Sequence, residues 1–354
     1  MSGIYIYNVQ NQRRVIPIPR RRAVLRDTLN PMNVYNDKEL KRLFRFERQN
    51  LYHIIGTLHP HLTHHTGNHG ALTSLQQVMV ALRFYATGSM QLDVSSWMRI
   101  DQSTVSRTVW RVTNAILNNF PAFTIPADVK TDFYQNFNLP DCTGLIDGTH
   151  IRIIRPSQHF HPQEYINRKK FYSINVQVIS DSWGTVTNLS AEWPGSVHDS
   201  RIFKNTSLYT ELLNRTRTGY LVADSGYAIS PFCITPYDNA TTPAQKNFNV
   251  VHKNTRCLIE RTIGQAKKRF HCMGLILRIK TERVPFVIAA CFLLHNEAKR
   301  LYDPPFDYTP GPEDDAGNDP PILDLTSTEA AIRAAGQRKR DELANYMLQN
   351  PLAR

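Results

Sequence analysis

T-G-L-I-D-G-T-H-I-R-I-I-R, residues 143–155, is a run of β-forming apolar residues interrupted by one carboxylate, Asp147, and a glycine. A strand centre disfavours aspartate, and a buried ionised carboxylate is costly unless it is paired or bound to a metal. Asp147 is therefore either a metal ligand at a strand end or a turn residue between two short strands. Asp-Gly between apolar runs is a hairpin signal, so the turn reading has force on this segment alone. Three more acids in similar settings decide the matter.

Downstream, a polar loop carries Tyr165 and the run Asn167, Arg168, Lys169, Lys170. Residues 171–180 and 185–193 then alternate about a turn at 181–184 that contains Gly184, which reads as a β-hairpin. After Pro194 and Gly195, residues 198–213 read as a helix. Residues 220–223 read as a fourth strand ending at Asp224. A loop with three prolines follows at 231–247, then a long helix over 248–270 and an apolar one over 284–302. Residues 303–321 have linker composition, and 329–347 can close as a loosely docked helix.

Three antiparallel strands, a helix, a fourth strand and terminal helices is the order of the ribonuclease H-like fold. The fold class expected is therefore α/β: a mixed five-stranded sheet flanked by helices over 141–302, followed by a linker and helix over 303–354. In that order the first and fourth strands lie parallel at the sheet centre. Asp147 and Asp224 each cap a buried strand, where open sheets place ligand sites.

A third acid has to come from a helix. Glu260 sits in R-C-L-I-E-R-T-I-G-Q-A-K-K-R-F, residues 256–270. Arg256, Glu260 and Lys267 stand at i−4, i and i+7, one stripe of the helix. A carboxylate that holds metal between two cations that hold phosphate needs this arrangement. An i,i+4 ion-pair face on a solvated helix has the same pattern. A further acid, Asp199, follows the Pro194-Gly195 break.

Upstream, residues 1–36 form a basic arm with an arginine pair at 13–14 and a triple at 20–22 about Pro17 and Pro19, a phosphate-contacting or nuclear-import segment or a solvated tail. A 3.6-residue apolar stripe runs from Asp37 through Leu40, Phe44, Leu51 and Ile55. The histidines at 53, 59, 61, 64, 65 and 69 lack consistent ligand spacing. Residues 74–88 read as a helix with a Ser N-cap and a Gly stop. A short amphipathic piece at 92–98, a turn at 99–102 and a helix opening at Ser103 follow, so 37–120 is read as an all-α, helix-turn-helix-like domain. Arg107 and Arg111 on its last helix are its candidate DNA contacts.

The chain has 354 residues, enough for two domains, and a net charge of +12. That surplus favours a polyanionic partner, nucleic acid first. Five scattered cysteines without a C-x-x-C pair argue for reduced thiols. No apolar stretch is long enough for a membrane span and no signal-peptide pattern opens the chain, so an intracellular protein without a membrane partner is expected, an anionic membrane surface ranking second to nucleic acid for the basic surplus.

Residue by residue these stretches resemble Harbinger-type transposases and the nucleases derived from them. The likeness rests on I-D-G-T-H-I at 146–151, Y-I-N-R-K-K at 165–170, S-I-N-V-Q at 173–177, W-P-G-S-V-H-D-S-R-I-F at 193–203 and A-D-S-G-Y at 223–227. T-P-Y at 235–237, F-N at 248–249, the Glu260 segment and L-H-N at 294–296 extend it. It runs in order over about 40–301. The resemblance implies a DDE nuclease that cuts DNA phosphodiesters with two divalent metals. Hard oxygen ligands without thiolate suggest Mg²⁺ or Mn²⁺.

On the same resemblance Asp147 is the first acid and Glu260 the last. Asp199 and Asp224 both match acidic positions in family motifs. Topology favours Asp224 as the middle acid, with 35 residues (225–259) before Glu260, and makes Asp199 auxiliary. Related bacterial insertion-sequence transposases carry Tyr, Arg, Glu and Lys about the last acid. Arg256, Glu260 and Lys267 fit that pattern, whereas Lys253 stands where tyrosine is expected. Lys169, Lys170, Arg256 and Lys267 are the expected phosphate contacts.

The partners implied are double-stranded DNA, a separate Myb-like DNA-binding protein that would bring this one to DNA and into the nucleus, and, as an option left open, a second copy in a homo-oligomer. A cytoplasmic pool is compatible with the same reading. The competing class is a DNA-binding or partner-binding nuclear protein that kept the fold and cleaves nothing.

Overall fold

The computed structural model describes residues 30–63, 71–307 and 327–351. Residues 1–29 of the basic arm, the histidines at 64, 65 and 69 and most of the expected linker lie outside the described residues; the arm's last residues, 30–36, are described and include a short helix. The helical region opens with α1 (Pro31–Val34), α2 (Asp37–Phe44) and α3 (Arg48–Leu62). The stripe that begins at Asp37 is thus two helices, because Arg45 takes a left-handed φ of 71° and closes α2. Then come α4 (Ser74–Thr87), α5 (Gln91–Met98) and α6 (Gln102–Asn119). Thr73, not Ser74, caps α4, in a capping box with Gln76.

Gly88 ends α4 at φ 61°, and a Cβ there would sit 2.9 Å from the Cys272 Cα, so left-handed backbone and close packing both demand glycine. Between α6 and the sheet lies one more helix, α7 (Val129–Phe137), whose interior is free of proline.

The sheet begins with β1 (Cys142–Arg152), continued by β2 (Ser173–Ser180) and β3 (Val186–Pro194). β1 runs straight through Asp147 and Gly148, which pair with Val178 and Gln177 of β2. The turn reading of Asp147 falls. So does its placement at the end of β1, because antiparallel pairing with β2 carries the strand five residues further.

The helix expected over 198–213 is two, α8 (Asp199–Lys204) and α9 (Ser207–Leu213), parted where Thr206 caps the second by accepting from the Tyr209 N–H. Next are β4 (Tyr220–Val222) and β5 (Cys233–Ile234), the latter within a segment expected to be loop. The sheet order is β3-β2-β1-β4-β5, with β4 parallel to β1.

The long helix α10 (Pro243–Arg269) starts five residues earlier than its apolar pattern suggests. Pro243 at its first turn and a Thr242–Gln245 capping box account for that start. α11 (Val284–Arg300) and α12 (Ser327–Gln349) complete the fold. α12 docks closely rather than loosely. Leu343, Ala344 and Met347 are buried, and a Cβ on Gly336 would lie 2.6 Å from the Ser230 backbone.

One apolar cluster runs from Leu40 and Phe44 through Val105 and Val112 to Leu145, Val176 and Leu294, so the helical region and one sheet face share a core. The other face packs Ile146, Phe203, Leu221 and Tyr227 in a second cluster. Buried Asp303, in the segment expected as linker, pairs with Arg269 at 2.8 Å and accepts from the Glu47 N–H at 2.9 Å, tying α10 to the helical region. Among the described residues no helix is long and apolar enough to cross a membrane.

Candidate active site

The β1–β4 register places the first two acids. Leu145 pairs with Val222, the last residue of β4, and Asp147 and Asp224 each follow two residues further along their chains. Both are buried, 8% and 4% exposed. Neighbours on a strand point to opposite faces, which separates Asp147 from Gly148. Asp147 looks toward α10, where Arg256 Nη2 stands 3.6 Å from its Oδ2. Gly148 looks the other way, toward α8. A Cβ there would overlap the Asp199 carboxylate, so this glycine makes room for an acid.

Glu260, one turn beyond Arg256 on α10, accepts from Arg256 Nη2 at 2.6 Å. A single guanidinium thus bridges the first and last acids. Arg256 was expected on phosphate. Here it is drawn in by the Asp147 and Glu260 charges, with its own protonated form favoured by Asp147, Glu260 and Asp224 against the cost of burial.

Burial dominates the electrostatics of the acids. Burial, opposed by Arg256 and reinforced by Asp224 and Glu260, pushes the Asp147 carboxyl up. Burial likewise raises Asp224 against the pull of Arg256, with Asp199 adding to the rise. Asp199 is pushed up to about 6 by burial and by Asp147, although the Asn175 amide donates to its Oδ1 at 2.7 Å and works the other way. A divalent cation among these carboxylates would relieve the cost of their burial and mutual repulsion. Two buried acceptors beside them, Asn175 Oδ1 and Gln177 Oε1, have no hydrogen-bond donor. All-oxygen donors and unmatched acceptors fit a hard cation. As the side chains stand, no three His, Cys, Asp or Glu among the described residues are close enough to hold a metal ion. Arg256 occupies the position between Asp147 and Glu260.

Several supporting residues had no assigned role in the sequence reading. Asn175 also donates to the Val197 carbonyl at 2.8 Å, and Gln177 donates to the Asp199 carbonyl at 3.3 Å and the Tyr227 hydroxyl at 3.2 Å. They hold the start of α8 against β2. The signal was present: polar residues at i and i+2 within a strand buried along its whole length. His252, one turn before Arg256, places its Nε2 2.9 Å from the Ala223 carbonyl, next to Asp224. Burial and the neighbouring Arg256 lower it to about 4, so the ring is neutral and donates to the strand end.

A cavity of about 670 Å³ opens beside the acids. Asp199 and Asp224 line it. Lys169, Lys170, Arg168, Arg152 and Lys267 line it too. The expected phosphate contacts Lys169, Lys170 and Lys267 are therefore gathered within reach of the carboxylates. His150 also faces it, accepting from or donating to Ser173 Oγ at 3.1 Å, and is held near 4 by burial, Lys267, Lys169 and Arg168. Arg107 and Arg111 lie apart from this cavity on α6, Arg107 exposed and Arg111 half-buried.

Compared with known proteins, residues 146–296 match the family model described as DDE superfamily endonuclease, a span holding all four acids. HARBI1 of Homo sapiens is 30% identical over 271 residues, covering 73% of this chain and 77% of that protein. The chain belongs to the Harbinger-derived DDE nuclease family. HARBI1 of Xenopus laevis is 26% identical over 273 residues, covering 74% and 78%. Protein ALP1-like of Arabidopsis thaliana is 27% identical over 263 residues, covering 69% and 65%. No solved structure matches the chain. The observed sheet order, with its flanking helices, is consistent with the ribonuclease H-like fold of DDE enzymes.

Proposed function

We propose that this member of the Harbinger-derived family is a metal-dependent DNA endonuclease that hydrolyses phosphodiester bonds by a two-metal mechanism. The observation that carries the reading is the pair Asp147 and Asp224, facing Glu260 across Arg256, beside a cavity walled by lysines and arginines. Asp147, Asp224 and Glu260, with Asp199 adjoining, would hold Mg²⁺ or Mn²⁺, which would supply activation of water and neutralisation of the leaving 3′ oxygen.

The chain's own groups do the rest. Lys169, Lys170 and Lys267 hold the strand's phosphates against the acids. Arg256, displaced from its carboxylates, turns to the phosphate being cut. Neutral His150 sets no further charge against the lysines. Water's oxygen joins phosphorus as the bond to the 3′ oxygen breaks, leaving 3′-hydroxyl and 5′-phosphate ends. With strand transfer, that hydroxyl is the next nucleophile.

Asp224 serves as the middle acid because it follows β4, the parallel neighbour of β1, while Asp199 lies behind Gly148. Arg107 and Arg111 add contacts to flanking duplex as the helix-turn-helix-like unit. A nuclear location and a separate Myb-like partner extend the same reading. The Arabidopsis thaliana relative named Antagonist of like heterochromatin protein 1 supports protein partnership in this family.

One observation favours a second reading. The Arg256 bridge satisfies Asp147 and Glu260 without metal, as suits a chain that binds DNA or a partner and cuts nothing. The discriminating experiment incubates purified protein with terminal-repeat and random duplex DNA in Mg²⁺, Mn²⁺ or EDTA, beside Asp147→Asn and Glu260→Gln. The nuclease reading requires nicking that EDTA and both substitutions abolish. Nicking that survives both substitutions, or none under any condition, overturns it.

A further inference from the structure

We propose that a second basic groove, between α6 and residues 276–283, binds the backbone of duplex DNA flanking the cleavage position; this rests on the reading of the acid site as DNA-cleaving. A cleft of about 270 Å³ separates Ser106 and Trp110 of α6 from Arg278, Lys280 and Arg283. Its third side is Ile154, two residues past the end of β1, so the groove begins where the strand carrying Asp147 leaves the sheet.

The backbone fixes which side chains face the groove. Leu277 bridges in parallel to Ile153, and its N–H donates to the Arg152 carbonyl at 2.8 Å. From there the segment alternates: Leu277 and Ile279 are buried, while Arg278 and Lys280 are exposed. An extended chain rises about 3.3 Å per residue, so the two cations project on one side roughly 6 to 7 Å apart. That spacing is comparable to that of successive phosphates along one DNA strand. Arg283 is fixed nearby, its guanidinium 4.8 Å from the Trp110 ring. The acid in the group, Glu282, reaches Lys280 only at 3.9 Å, with both side chains solvent-exposed.

One short stretch of chain links the groove to the acid cavity. Arg152 lines that cavity and stacks over the Phe171 ring at 4.1 Å, and Ile154 lines the second groove. Arg107 lies one residue along α6 from Ser106. A duplex lying across both grooves meets the acids at one end and α6 at the other. Duplex DNA, with regularly spaced charge and no need for an apolar anchor, is the occupant these spaced cations match.

The test measures binding of fluorescently labelled duplex DNA by anisotropy in EDTA across a KCl series, using the full chain. One duplex is long enough to span both grooves and one reaches only the acid cavity. The variant carries Arg278→Ala, Lys280→Ala and Arg283→Ala. Because Arg283 packs on Trp110, a second variant alters only exposed Arg278 and Lys280. A charge-matched control carries Lys38→Ala, Arg42→Ala and Arg338→Ala, all exposed on other elements.

Each lost phosphate contact lowers the slope of log affinity against log salt by about 0.9. The triple variant is therefore expected to lose about 2 to 3 in slope on the long duplex, the double variant about 2, and the control less than 1. Binding of the short duplex, and nicking of it in Mn²⁺, stay at wild-type levels. Equal losses for the groove and control variants, or wild-type binding by both groove variants, overturn the proposal. Absence of nicking by the unaltered chain overturns the cleavage reading instead and leaves the slope comparison intact.

Discussion

Replacing Asp199 by asparagine isolates the electrostatic strain of the acid cluster. The carboxyl is pushed up from 3.8 to about 6. Burial is the main cause and Asp147 adds to it. Since the folded value exceeds the unfolded one, the folded state binds more protons between about pH 4 and pH 6. Stability from this group is therefore lost as pH rises through that window and stays lost above it. At 1.36 kcal/mol per unit, the shift corresponds to about 3 kcal/mol.

Asparagine keeps an oxygen for the Asn175 amide, which reaches Asp199 Oδ1 at 2.7 Å, but cannot ionise. In metal-free urea denaturation, the stability of Asp199→Asn relative to the unaltered chain is expected to rise by about 2 to 3 kcal/mol from about pH 4 to about pH 8. Mn²⁺ added at about pH 8 should stabilise the unaltered chain more than the variant. A stability difference that does not change with pH would refute the claim that a charged, under-compensated Asp199 is buried here.

Gly148→Ala would push its new Cβ into the Asp199 carboxylate; nicking in Mn²⁺ is expected to fall at least about tenfold, with an unchanged far-ultraviolet circular dichroism spectrum. His252→Ala removes the donor to the Ala223 carbonyl and leaves a buried void, so a loss of about 2 to 4 kcal/mol is expected in denaturant titration. Gly336→Leu cannot coexist with the Ser230 backbone; α12 should undock, seen as faster trypsin cleavage at Arg338 and Lys339. Lys169→Ala and Lys267→Ala should each lower the salt slope of DNA binding by about 1.

How much was readable from sequence follows from how local each cause is. Asp147 and Asp224 declared themselves because a carboxylate inside an apolar run conflicts with its surroundings wherever that run packs. The strand order placed them together because chain connectivity admits few sheet topologies. β5 could not be read, since Cys233 and Ile234 are a strand only because β4 lies beside them. The i,i+4 pair Arg256 and Glu260 looks the same on a solvated helix as here. That Arg256 turns inward depends on Asp147, more than a hundred residues away in sequence.

The docking of α12 was equally hidden, because Gly336 is a poor helix residue until the Ser230 backbone approaches it. Asn175 and Gln177 were legible as an alternating polar pair, but their task depended on where α8 begins. The family resemblance named the acids and set Arg256 beside the last of them without showing that it bridges to the first.

The central claim is that these carboxylates gather to hold a divalent cation in place of the Arg256 bridge. Electron paramagnetic resonance of Mn²⁺ titrated into the full chain at about pH 8 tests it directly. The account predicts saturable binding that Asp147→Asn and Asp224→Asn each weaken at least about tenfold. It also predicts that Arg256→Ala leaves the binding intact or strengthens it. Binding unchanged in both aspartate variants, or no binding by the unaltered chain, would contradict it.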